Sequence, residues 1–89
     1  MKAVVTVIGK DAVGILAKIS SCCALYNANV MEVTQSVLQD MFAMIMLIDI
    51  KKLSCDFSKL SEELKAIGSG MGLSVHVMHE DVFNTMHHV

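Results

Sequence analysis

Arginine and proline are both absent from this sequence, and no apolar run is long. Without arginine, the planar fork that reads phosphates and guanine edges in pairs of hydrogen bonds is missing. The seven basic residues are all lysines, against nine acidic ones, for a net charge of −2. No basic stripe supplies a general attraction to phosphate, so nucleic acid is excluded as a partner. The longest apolar stretch, Met41 to Ile48, falls far short of the ~20 residues of a membrane-spanning helix. No signal peptide opens the chain: Met1-Lys2 leads straight into a strand-like run, so a soluble, cytoplasmic protein with no membrane partner is expected.

Signatures of chemistry are equally scarce. Cys22, Cys23 and Cys55 form an odd set without zinc-binding or CxxC spacing and read as reduced small hydrophobes. His76 and His79 lie three apart on an expected strand, which sends them to opposite faces. His79 converges with Asp81, His87 and His88 only if the tail folds back. Ser20, Ser21 and Ser69 have no base at a recognisable spacing, and no G-x-S-x-G elbow is present. Glu62 and Glu63 are neighbours on an expected helix and face different ways. Gly9 and Gly14 fit neither a phosphate-loop nor a dinucleotide fingerprint. The expectation is no enzyme, no metal and no cofactor.

What is present is an apolar excess in a small frame. The chain has 89 residues, 54% of them hydrophobic, enough for one domain over 1–89. A domain of this size buries only about 60–65% of its unfolded surface. Some apolar surface is therefore expected at an interface between copies, which resembles a divided core.

Ala3 to Ile8 is β-branched and apolar on both alternating sets, a central strand. From Val13 the period changes: Val13, Leu16, Ile19, Cys23 and Tyr26 define an apolar helical stripe. Asp11 or its neighbour is the expected N-cap, and Asn27-Ala28-Asn29 the stop. Val30 to Leu38 alternates, with Met31, Val33 and Val37 on one side. Gln39-Asp40 forms a turn into a second apolar strand, Met41 to Ile50. After the polar connection Lys51 to Cys55, Asp56 caps a helix marked by Phe57, Leu60, Leu64 and Ile67. Gly68, Gly70 and Gly72 end it. Leu73 to Glu80 is the last strand, and Val82, Phe83 and Met86 give the tail a short amphipathic pattern.

This order is a split βαβ arrangement, βαββαβ. It predicts an α+β, ferredoxin-like sandwich: a four-stranded antiparallel sheet with two helices on one face. The strand from Met41 to Ile50 is apolar on both faces, so the face without helices packs on another copy or lies under the folded tail.

Lys10-Asp11-Ala12-Val13-Gly14-Ile15, between the first strand and the first helix, carries the functional signal. The first turn of a helix leaves N–H groups unpaired and bears partial positive charge. Gly14 permits close approach, and Asp11 either caps the helix or receives an ammonium group. A capped helix with a glycine in its first turn is the plain alternative.

Strand, G-K-D-x-x-G-I, helix, then Asn29-Val30 opening the next strand resembles the ACT-domain family, from roughly Lys2 to Glu80. The opening Ala3 to Asp11 with Gly14-Ile15 looks like that of stand-alone bacterial and archaeal ACT proteins. It is also similar to the ACT segments of glycine-cleavage regulators and formyltetrahydrofolate hydrolases. The resemblance implies paired ACT units, a homodimer or higher homo-oligomer, with an amino acid as small-molecule ligand between them. Asp11 and Gly14 match the motif, Lys10, Ala12, Val13 and Ile15 flank it, and Asn29 is the contribution from across the interface. Family members often regulate an attached enzyme or transcription factor. No such domain is expected beside this one, and output is expected through a partner protein. A ligand-free assembly module is the alternative, and a small metal or redox protein a third reading.

Overall fold

The structure, a computed structural model, describes residues 1–10 and 13–86, with the Leu38 side chain left aside. Four strands and three helices follow in the order β1 (Lys2–Gly9), α1 (Ile15–Leu25), β2 (Asn29–Leu38), β3 (Met41–Asp49), α2 (Phe57–Gly70), β4 (Ser74–His79) and α3 (Glu80–Met86). The sheet is antiparallel throughout, in the order β2-β3-β1-β4. This is the expected ferredoxin-like βαββαβ arrangement. No helix among the described residues is long and apolar enough to cross a membrane.

Alternation along the strands sorts the side chains onto two faces. Ala3, Val5 and Val7 of β1, Met44, Met46 and Ile48 of β3 and Val75 of β4 meet α1 and α2 through Ile15, Ile19, Cys23, Leu60 and Leu64. Apolar residues recurring at steps of four put these helical residues on one stripe. The stripe of α1 differs from the expected one: Val13 is 85% exposed, and Leu16 36%. The helix begins only after Gly14, so Ile15, not Val13, sets its buried phase.

The two helices end alike. The N–H of Ala28 donates to Cys23 O (2.8 Å) and that of Asn27 to Ala24 O (3.2 Å). In α2, Leu73 donates to Gly68 O (2.8 Å) and Gly72 to Ser69 O (3.2 Å). Both pairs close a Schellman motif about a left-handed residue, Asn27 (φ 61) and Gly72 (φ 72). Gly68 thus lies within the helix, not at its stop. A side chain there would run into Val75, because α2 lies so close to β4.

Two further expectations change. A bulge between Val30 and Glu32 adds one residue to β2. Val30 and Val33 therefore share the core face, while Met31, assigned to that side by simple alternation, is 44% exposed. In addition, α3 packs on β1 and β4 against the second face, near Met78, with Phe83 turned toward the sheet. Val4, on that face, is 3% exposed. The tail thus covers part of the sheet and leaves Ile8 and Ile45 partly open.

Candidate functional site

The loop after β1 is built around two glycines with different tasks. Gly9 closes the strand opposite Phe42, and a Cβ there would strike the Leu73 side chain. Gly14 is the N-cap of α1, at φ 80 and ψ 0, in the left-handed region where glycine has no steric penalty. Among the described residues, a Cβ on Gly14 would meet nothing within 4 Å. Its carbonyl accepts from Lys18 N–H (3.1 Å). The cap has no side-chain hydrogen bond, and no acidic residue stands in the first turn. The expected acidic cap is therefore not at the N-cap position. That leaves a positive helix pole without an acidic side chain of its own first turn beside it.

Around this pole, Lys10 is exposed and its ammonium lies 4.0 Å from Asp40 Oδ2 of the β2–β3 turn. Both partners are largely in solvent, so the pair contributes little. Asp11 and Ala12 lie outside the described residues. Val13 stands beside Gly14 and is exposed. The Ile15 side chain is in the core at 1% exposure, so only its backbone faces the loop.

Asn29 sits at the other end of the sheet, opening β2 opposite Asp49. A concavity of about 300 Å³ is lined there by Asn27, Asn29, Asp49, Lys51 and Lys52. The Lys51 N–H donates to Asp49 Oδ1 (2.9 Å). The eleven residues of α1 separate this end from Gly14, an axial distance of about 16 Å. One chain therefore does not bring Asn29 to Gly14. The charged groups beside Asn29 were missed from sequence. Their signal is the strand register, which sets Asp49 against Asn29 despite their separation along the chain.

The remaining candidates disperse. Among the described residues, no three His, Cys, Asp or Glu side chains are grouped to hold a metal. His79 stacks on Phe57, with ring centroids 4.2 Å apart and planes at 22°. His76 belongs to the opposite face, and His87 and His88 lie outside the described residues. All three cysteines are free thiols. Burial, with the neighbouring Cys22 adding to it, pushes Cys23 up to about 11. Cys22 is raised by burial first, then by Glu63 and Cys55. Cys22 and Cys23 thus stay protonated at neutral pH, where the thiolate needed for attack is scarce.

The ACT-domain family model matches residues 2–78. A UPF0237 protein of Methanopyrus kandleri is 50% identical over 88 residues, covering 99% of this chain and 98% of its own. The ACT domain protein from Streptococcus pneumoniae superposes with a TM-score of 0.79 at 31% identity, over 93% of each chain. A formyltetrahydrofolate deformylase from Pseudomonas syringae shares the fold, with a TM-score of 0.76 at 22% identity, over 88% of this chain and 27% of its own. With the βαββαβ frame and the glycine-capped first helix, these matches establish that the chain belongs to the ACT-domain family.

Proposed function

We propose that this protein is a non-catalytic regulatory module that binds a small amino-acid-like ligand between two copies and signals its occupancy to a partner protein. The observation that carries this reading is the first turn of α1. It starts at a left-handed glycine with open space around it among the described residues, and has neither a side-chain cap nor an acidic neighbour in its own turn. Such a turn favours a carboxylate. Asp11 is the acceptor for the ammonium group, and Lys10, Ala12, Val13 and the Ile15 backbone form the rest of the loop.

A second copy completes the site. Asn29, at the start of β2 beyond the far end of α1, is too distant to reach Gly14 of its own chain, so Asn29 of the partner subunit is the one that serves it. Val13, just before α1, and Leu25 at its end, 85% and 72% exposed, supply apolar surface for that pairing. The same exposed residues favour the second reading, an assembly module that pairs without a ligand.

A ligand of about seven heavy atoms at ~0.6–1 kcal/mol each gives a dissociation constant between about 1 mM and 10 µM. That range suits sensing. Calorimetric titration with each of the twenty amino acids, repeated on Asp11→Ala, tests the proposal. Heat from one of them that Asp11→Ala removes is expected. Silence from all twenty, with a stable dimer in sedimentation, favours the assembly module.

A further inference from the structure

The second face of the sheet holds a groove with no part in the ligand site above. Ile8, Ala43, Ile45 and Met78 form its floor, and Phe83 and Met86 of α3 form one wall. Its volume is about 370 Å³, within the usual span of small-molecule sites. Ala43 pairs with Ile8 in the β1–β3 register, and that short side chain deepens the floor between bulkier neighbours. Ile8 and Ile45 are 46% and 44% exposed, so apolar surface at the centre of the sheet faces water.

Two polar groups interrupt this lining. Thr6 and His76 are cross-strand partners on β1 and β4, and both line the groove. Among the described residues neither side chain makes a hydrogen bond. Among the described residues the lining contains no carboxylate and no lysine, so these offer no ionic partner to an ammonium group. A hydroxyl and an imidazole N–H side by side both donate to an acceptor-only head. A flat apolar partner would instead cover both groups and leave them unsatisfied.

We propose that this groove binds an apolar monocarboxylic acid, alkyl or aryl. Its hydrocarbon lies on Ile8, Ile45, Met78 and Phe83, and its carboxylate accepts from His76 and Thr6. Met78 and Met86 adapt to chains of different shape. The wall adapts too, because α3 contributes no buried residue of its own.

Calorimetry of the full chain with octanoate, decanoate and octanol tests the assignment. Octanoate is expected to bind, and decanoate to bind tighter by about fourfold per additional buried methylene. Octanol is expected to bind about tenfold more weakly than octanoate, and His76→Leu, which has no donor, to weaken octanoate by a similar factor, since a charge-assisted bond is lost in each case. Ala43→Phe fills the floor and should abolish binding. Met86→Glu, at an exposed position of α3, should weaken it by repulsion without touching the core. Amino-acid titrations of Ala43→Phe should match those of the wild type, which keeps the two sites distinct. No heat from either acid, or heat that survives both Ala43→Phe and Met86→Glu, overturns the proposal. Equal affinity for octanol overturns the role given to His76 and Thr6. A dimer that Ala43→Phe splits, with no octanoate binding, assigns the face to a second copy instead.

Discussion

In α1 the buried residues are Ile15, Ile19 and Cys23, and in α2 they are Leu60, Leu64 and Gly68. The steps are the same, and in both helices the third residue offers its carbonyl to the closing bond of the C-terminal motif. The helix starts differ. Asp56 precedes α2 in an extended conformation, whereas Gly14 precedes α1 in a left-handed one. The repeated half thus has a common way of packing and stopping a helix. Only the first half has an N-terminus shaped by a glycine. The structural equivalence lies where the core requires it, and the divergence lies where the ligand is proposed.

Truncating the shared core positions is the strongest way to break this comparison. Ile19→Ala and Leu64→Ala are each expected to cost about 2–5 kcal/mol. Equal losses in urea melts would support equivalent halves, and a difference beyond that range would show that one half dominates stability. Next come Gly68→Ala and Cys23→Ala. The new methyl at Gly68 meets Val75 Cγ2 and the Leu73 carbonyl, so overpacking should cost about 1–3 kcal/mol. Cys23→Ala removes one buried sulfur and should cost about 1 kcal/mol. A neutral Gly68→Ala would refute the close approach of α2 to β4.

The thiol at Cys23 sharpens the same pair by pH. Its value rises from an ordinary 9.0 to about 11 on folding, so the unfolded chain loses this proton first. Stability is fully present below pH 9 and falls as pH climbs from 9 to 11. The loss should be about 1 kcal/mol after allowance for solvent screening. Chemical denaturation across that interval should show a shallower slope in Cys23→Ala.

The smallest effects belong to the helix starts. Gly14→Ala forces a side chain into φ 80 and should lower stability by about 1 kcal/mol. Asp56→Ala should change it by less than about 0.5 kcal/mol, since Asp56 makes no side-chain capping bond. Thermal melts of the two variants check this ordering. A larger loss at Asp56 would reverse the asymmetry described above.

Much of the frame was readable because alternation and four-residue steps report local geometry. Asn27 and Gly72 marked real helix ends, as residues that accept left-handed backbone, whereas Gly68 and Gly70 lie inside α2. The errors came where one residue changes the phase. Val13 continues a plausible helical stripe, yet Gly14 turns the chain before α1 begins. Met31 continues the alternation, yet a bulge shifts the strand beneath it. At the candidate site, Gly14 was legible from its place between strand and helix. Asp49, Lys51 and Lys52 were not, because their approach to Asn29 depends on strand pairing.

The residues alone determined the βαββαβ order, because the period of apolar side chains switches between two and nearly four along the chain. They also determined where the first helix could lie open, because a glycine stands there. Tertiary structure decided which strands became neighbours, what α3 covers, and that Thr6 and His76 share one groove. Those outcomes depend on contacts between residues distant in sequence, which local periodicity does not encode.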